Sequence, residues 1–261
     1  MLALAECTTV EVQRLARRRN VLVLLPLGAV EQHGPHLPLA VDWLGAEALA
    51  WHVAPHLERA GFRCLLAPSL PYGVSPLAAD WSGTVSLRAS TLRRVAGEIL
   101  AALVGHGFER FVLVNYQADP AHLAAMAAIK RDAERRRGVR VLFAGFAPAA
   151  SAAMLNARVT ALLRSPRPDR EWHAGELETA MMLAVRPDLV RRALARRLPP
   201  AWIDWRARLT RGTTFRRMHP RGRGYFGAPA MGRAVTGRRA LRLRGRLIAA
   251  EIIAALQAAR R

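Results

Sequence analysis

Glu31, His33 and His36 fall within six residues, in EQHGPH, and Asp42 follows after LPLAV. Gly34, Pro35 and Pro38 stiffen the loop, so the side chains converge without ordering a floppy segment. Glu31, His33 and Asp42 together offer two oxygen ligands and one nitrogen ligand, a mixed set that Zn²⁺ and Mn²⁺ accept. A carboxylate such as Asp42 can bridge two ions and hold a water between them for deprotonation. For any single histidine, ordinary hydrogen bonding is the plainer reading; the grouping, at the end of an apolar strand, favours the metal. His36 can instead orient a ligand from behind.

A second group lies in WHAGELETAMML, at the head of an apolar helix. Glu176 comes three residues after His173, and on a helix the two would share a face. Glu176 is therefore a candidate ligand and His173 a candidate acid/base, with Glu178 able to orient either. The competing reading is a capped helix start whose acids complement the helix dipole.

The elements that must hold these groups alternate. VLVLLPLG (Val21–Gly28), RCLL, RFVLVN (Arg110–Asn115) and VRVLFAG read as buried strands. Between them, WLGAEALAWHVAPHL, TLRRVAGEILAALVGHG and PAHLAAMAAIKRDAERRRG carry helical spacing, with Gly105, Gly107 and Gly138 as stop signals and Pro120 as a start signal. Such alternation implies βαβ units, hence an α/β three-layer sandwich with a mostly parallel sheet covered on both faces. Ligands bind outside the carboxyl ends of such strands, so the EQHGPH loop and NYQADP should share one mouth. RSPRPDR is a charged connector, residues 186–223 contain an irregular Arg-rich excursion, and LRGRLIAAEIIAALQAA is a terminal amphipathic helix. No repeat or linker divides the chain, so residues 1–261 are expected to form one domain.

Composition narrows the class. Apolar residues make up 52% of 261, enough for a sizeable core. Cys7 and Cys64 cannot build a disulfide framework, no apolar run is long enough to span a bilayer, and the N-terminus lacks a secretory pattern, so a cytoplasmic protein without membrane contact is expected. The net charge is +21, and 39 of the 40 basic residues are Arg, Lys130 being the exception. Residues 186–261 hold 20 Arg against Asp188, Asp204 and Glu251, a net of +17. A solvated basic flank is the preferred reading, because no stacking aromatics, zinc-finger spacing or helix-turn-helix pattern supports nucleic-acid binding.

EQHGPHLPLAVD resembles the signature of the creatininase (creatinine amidohydrolase) family. The likeness extends, in the family's order and over roughly residues 20–235, to LPYGVSPLAADWSGTVSL, FVLVNYQADP, HAGELETAMML and GYFGAPAMG. The resemblance implies an α/β sandwich, a two-metal centre, hydrolysis of a non-peptide or unusual amide bond, and often a homo-oligomer. By motif position Glu31, His33 and Asp42 are implied as ligands, with Asp42 the bridge and Glu176 a further ligand. The chain also departs from the pattern. Gln117 stands where the family has a ligand His, and a neutral amide oxygen is a weak zinc ligand. Asp119 stands where one branch has a ligand Glu and can restore a carboxylate. Leu77-Ala78 replaces a Glu-His pair, and Ala228 an Asp. A site of Glu31, Asp42 and Gln117 is thereby weakened relative to one of His33, Asp42 and either Asp119 or Glu176.

The expectation is thus a metal-dependent amidohydrolase holding one or two Zn or Mn per chain and acting on a small-molecule or peptide-derived amide. His173 would protonate the leaving nitrogen, with Glu178 beside it. The alternative is a family member that has lost catalysis and serves binding or assembly. A third reading, nucleic-acid binding through the Arg-rich third, predicts steep salt dependence.

Overall fold

In the computed structural model residues 1–148, 153–154, 156–209 and 212–258 are described. The irregular Arg-rich excursion therefore lies partly outside the described residues, at positions 210 and 211. Five parallel strands run in the order β1-β3-β2-β4-β5: β1 (Leu2–Ala3), β2 (Val21–Leu27), β3 (Arg63–Leu66), β4 (Arg110–Asn115) and β5 (Arg140–Gly145). Every residue of β2 is buried, which is why its sequence is a continuous apolar run rather than an alternating one.

The two-residue period of the strands splits that run between two cores. Leu22 and Leu24 of β2, with Val112 and Val114 of β4, face one side; Val23, Leu25 and Leu27, with Phe111 and Leu113, face the other. The first side is covered by α2 (Val41–Arg59), α5 (Glu176–Val185) and the long α6 (Ala234–Ala258), through Leu49, Val53, Met181, Ile248 and Ile252. The second is covered by α1 (Thr9–Ala16), α3 (Ala89–Gly105) and α4 (Pro120–Ala133), through Leu15, Leu92, Leu100, Met126 and Ile129. Each such fully buried aliphatic side chain stabilises the fold by roughly 1.5–3 kcal/mol before entropy is counted. The result is the expected three-layer sandwich. β1 and α1 were not anticipated; α1 nonetheless announces itself by a capping box, Thr8 with Glu11.

Strand order places the site. From β2 the chain crosses through α2 to β3 on one flank, then through α3 back past β2 to β4 on the other. β2 and β4 pair in register up to Leu27 opposite Asn115. Their carboxyl ends therefore adjoin at the point where the sheet's winding reverses, and a crevice opens there.

Candidate active site

The loop after β2 delivers Glu31 and His33, and the first turn of α2 delivers Asp42. The return is tight. A Cβ on Gly28 would lie 2.4 Å from the Trp43 backbone nitrogen and 2.8 Å from the Asp42 carbonyl carbon. Only glycine lets β2 and the start of α2 approach this closely. Gly28→Ala is accordingly expected to cost about 2–4 kcal/mol of stability, read as a lower thermal midpoint, and to displace Asp42.

His33 is fully buried. Its Nδ1 lies 3.1 Å from the Glu31 carbonyl oxygen and donates to it, which leaves Nε2 bare. That Nε2 stands 3.6 Å from Asp42 Oδ1 and 3.7 Å from Glu178 Oε2, and among the described residues neither it nor Asp42 Oδ2 has a hydrogen-bond partner. The His33 and His173 rings face each other at 4.1 Å between centroids. His173 Nε2 lies 2.7 Å from the Gln32 carbonyl oxygen and donates to it, so Nδ1 is an acceptor, 3.7 Å from Glu31 Oε1. Two groups of ligand atoms lie close enough to surround one ion, Glu31 with His33 and His173, and His33 with Asp42 and Glu178.

Burial dominates the electrostatics. It raises Glu31 to about 8, helped by Asp42, raises Asp42 to about 8, helped by Asp119, and raises Glu178 to about 7. Burial, then the neighbouring His33, holds His173 well below the usual imidazole range. Several acids crowded together out of water, with bare nitrogen and oxygen atoms between them, form a set that a divalent cation would satisfy.

The second chain segment reaches the site through an unusual backbone. Ala174 adopts φ 52°, alone in this among the described non-glycine residues, and its N–H donates to Glu178 Oε2 at 2.6 Å. α5 begins only at Glu176, so His173 precedes the helix and the helical spacing expected of His173 and Glu176 does not apply. The two diverge. Both Glu176 oxygens accept backbone N–H groups, from Arg164 and Ser165 at 2.7–3.0 Å, and Glu176 belongs to neither ligand group. Glu178 stands in the cluster instead. Glu171 was not anticipated: it accepts the N–H groups of Glu176 at 2.6 Å and Ala228 at 2.9 Å, tying the start of α5 to the GYFGAPAMG turn.

The segment after β4 arrives differently from the expectation. The Gln117 amide nitrogen donates towards Glu31 Oε2 at 2.9 Å, Ser75 Oγ at 2.7 Å and the Val74 carbonyl at 3.1 Å, while its oxygen has no partner among the described residues. Gln117 thus meets Glu31 with a donor. Asp119 caps α4: Oδ1 accepts from Ala121 N–H at 2.8 Å and Oδ2 from Leu77 N–H at 3.1 Å, and it joins neither ligand group. His36 bonds Thr179 Oγ1 at 2.8 Å and stays behind the cluster.

A cavity of about 250 Å³ opens over these groups, lined by Glu31, Asp42, His173 and Glu178 and otherwise largely apolar. Trp172 stacks on Trp205 at 4.4 Å, and Phe215 covers His173 at 4.3 Å. Leu77 and Ala78 belong to the same apolar patch. Sequence reasoning passed over this aromatic wall because its members are scattered from 172 to 215.

A family model described as "Creatininase: Creatinine amidohydrolase" matches residues 5–252. A creatinine amidohydrolase of Pseudomonas putida is 30% identical over 197 residues, 71% of this chain and 72% of that one. A mycofactocin precursor peptide peptidase of Mycobacterium ulcerans is 31% identical over 172 residues, 64% of this chain, and the match spans only 60% of that protein's length. Among solved structures, a mutant creatininase of Zn–Zn type and a "Creatininase Mn" are 27% and 26% identical, each with a TM-score of 0.76, covering 96% of this chain and 96% and 97% of theirs.

Proposed function

We propose that this chain, which belongs to the creatininase family, is a metal-dependent amidohydrolase whose ion is held by His33, Asp42 and Glu178. The observation that carries the reading is the pair of orphaned buried atoms, His33 Nε2 and Asp42 Oδ2, within one ligand group. Leaving both bare is costly unless a cation takes them. Both ligand groups share His33, and its Nδ1 is already committed to the Glu31 carbonyl. Nε2 can bind only one ion, and the geometry to Asp42 and Glu178 assigns it to theirs; a second ion would rest on Glu31 and His173. A divalent Zn or Mn there supplies a Lewis acid for the amide carbonyl and lowers the pKa of a water towards neutrality.

The chain's own residues do the rest. The Gln32 carbonyl fixes His173 in the tautomer with Nδ1 free, and burial keeps that ring neutral at pH 7. It can accept a proton at Nδ1 and pass it to the leaving nitrogen, a step worth ~10²–10⁴-fold in rate. Glu178 is pinned by the Ala174 N–H at Oε2, the same oxygen that stands 3.7 Å from His33 Nε2. Gln117 holds Glu31 by its amide. The aromatic wall keeps bulk water from the reacting amide. Relatives acting on creatinine and on a precursor peptide support a small-molecule or peptide-derived amide as substrate.

Gln117 favours a second reading, a subunit without catalysis, because a neutral donor faces Glu31 where the family pattern has an imidazole. Metal analysis separates the two. Protein purified without added metal is expected to carry about one or two equivalents of Zn or Mn and to hydrolyse members of an amide panel. No ion, with no thermal gain on adding one, would establish the second reading.

A further inference from the structure

α6 packs against α2, α5 and β5 through a stripe of buried residues, Leu241, Gly245, Ile248, Ala249 and Ile252 among them. Arg244 interrupts that stripe and is itself 3% exposed. One terminal nitrogen donates to the Tyr116 hydroxyl at 3.1 Å and the other to the Met154 carbonyl at 2.8 Å. Among the described residues Nε is buried without a partner. Among the described residues Arg244 forms no ion pair, although Glu178 lies near enough to sense its charge. A guanidinium withdrawn from water and met by two neutral acceptors is only partly compensated.

Arg244 lines the same cavity as Glu31, Asp42, His173 and Glu178. Tyr116, which it holds, is the residue immediately before Gln117. The cavity thus offers a reacting end of several acids and the His173 imidazole, an aromatic wall, and two guanidiniums, the exposed Arg206 stacked on Trp205 and the buried planar fork of Arg244. That fork matches a carboxylate in two parallel hydrogen bonds, and Arg keeps its charge at every working pH.

We propose that Arg244 receives a carboxylate of the substrate, so that the amides admitted here are those of acids: an N-acyl amino acid, or a peptide whose C-terminal carboxylate lies close to the scissile bond. The assignment rests on the amidohydrolase reading of the cavity. A merely structural Arg244, tying α6 to the segment after β4, would treat charged and neutral ligands alike.

The test is equilibrium binding of N-benzoylglycine and its neutral counterpart N-benzoylglycinamide to the full chain, by calorimetry at pH 7.5. It is run on the protein as purified and again after chelation, so that a carboxylate bound to an ion is recognised. The acid is expected to bind at least ~10-fold more tightly than the amide in both forms. Arg244→Met is expected to abolish that preference while the amide's affinity stays within about twofold. Arg244→Lys, which retains charge but not the fork, should keep part of the preference, and it carries the comparison if the Met variant does not fold. Benzoyltriglycine, whose carboxylate stands two residues further from the ring, tells a small acid from a peptide terminus by which of the two binds more tightly. Equal affinity for acid and amide in the parent protein, failure of both to bind, or equal weakening of both by Arg244→Met would overturn the assignment. Benzoate release is read separately: acid-selective binding without cleavage would leave Arg244 in its role and remove the hydrolase reading instead.

Discussion

Asp42→Asn is expected to give a protein that folds at least as well as its parent in the absence of metal, yet retains under about a tenth of the parent's ion. Amide hydrolysis should fall by ~10³-fold or more, equivalent to about 4 kcal/mol of transition-state stabilisation. Both halves follow from one side chain. Asp42 sits in the first turn of α2, buried, with Oδ2 unpartnered and its pKa raised by burial and then by Asp119 to about 8. Without a cation, that carboxylate opposes folding near neutral pH; an amide of the same shape carries no charge to desolvate. With a cation, the same oxygen becomes a ligand that Asn supplies only weakly. The measurements are metal content by elemental analysis, thermal midpoint in chelator, and turnover of whichever amide the parent cleaves. A variant that keeps its ion would remove Asp42 from the ligand set. A variant several degrees less stable in chelator than its parent would make Asp42 a structural residue and leave the orphaned oxygen unexplained.

Such a trade between stability and function explains which features could be read from sequence. The sheet was legible because strands buried on both faces must be continuous apolar runs, and VLVLLPL and RFVLVN are that. The crossing helices were legible from their spacing and from Gly107 and Gly138, both at positive φ. The shared mouth followed from a rule about strand ends and needed no contacts. β1 was not legible, since two residues carry no period.

Within the site, Glu31, His33 and Asp42 come together because a short, stiff loop and the next helical turn leave them little choice. Residues 173–178 were harder. An i, i+3 spacing pairs side chains only where the backbone is helical, and here a left-handed Ala174 and an extended Gly175 intervene. His173 and Glu178 consequently reach the cluster, and Glu176 serves the Arg164–Ser165 backbone instead. Gln117 and Asp119 lay in the right loop, but their hydrogen bonds were invisible to any reading of types and spacing. Arg244 did leave a sign, a charge in the apolar stripe of the terminal helix, which the abundance of arginine in this chain obscured.

The metal-free protein is expected to lose stability as pH rises from about 6.5 to 8, and the ion-bound protein is not; below that window the buried His36, His122 and His173, which take up protons only in the unfolded chain, offset the acids. Glu31 and Asp42 are raised to about 8 and Glu178 to about 7, in each case first by burial. Unfolded, the same groups titrate near 4. The sign follows from proton counts. Below pH 4 both states are protonated and these groups contribute nothing. Between roughly 4 and 8 the folded state holds protons that the unfolded state has released, so each step up in pH favours unfolding. Above about 8 the penalty stops growing. With three acids involved the total is on the order of several kcal/mol, enough to move the midpoint of a chain this size by ten degrees or more. A divalent cation replaces those protons, so its stabilising effect should grow with pH across the same window. Thermal melts with Mn²⁺ and with chelator, at pH 5.5, 6.5, 7.5 and 8.5, measure the difference directly. A metal-induced gain that is the same at every pH would mean that the ion binds elsewhere, or that Glu31, Asp42 and Glu178 are already ionised in the metal-free fold.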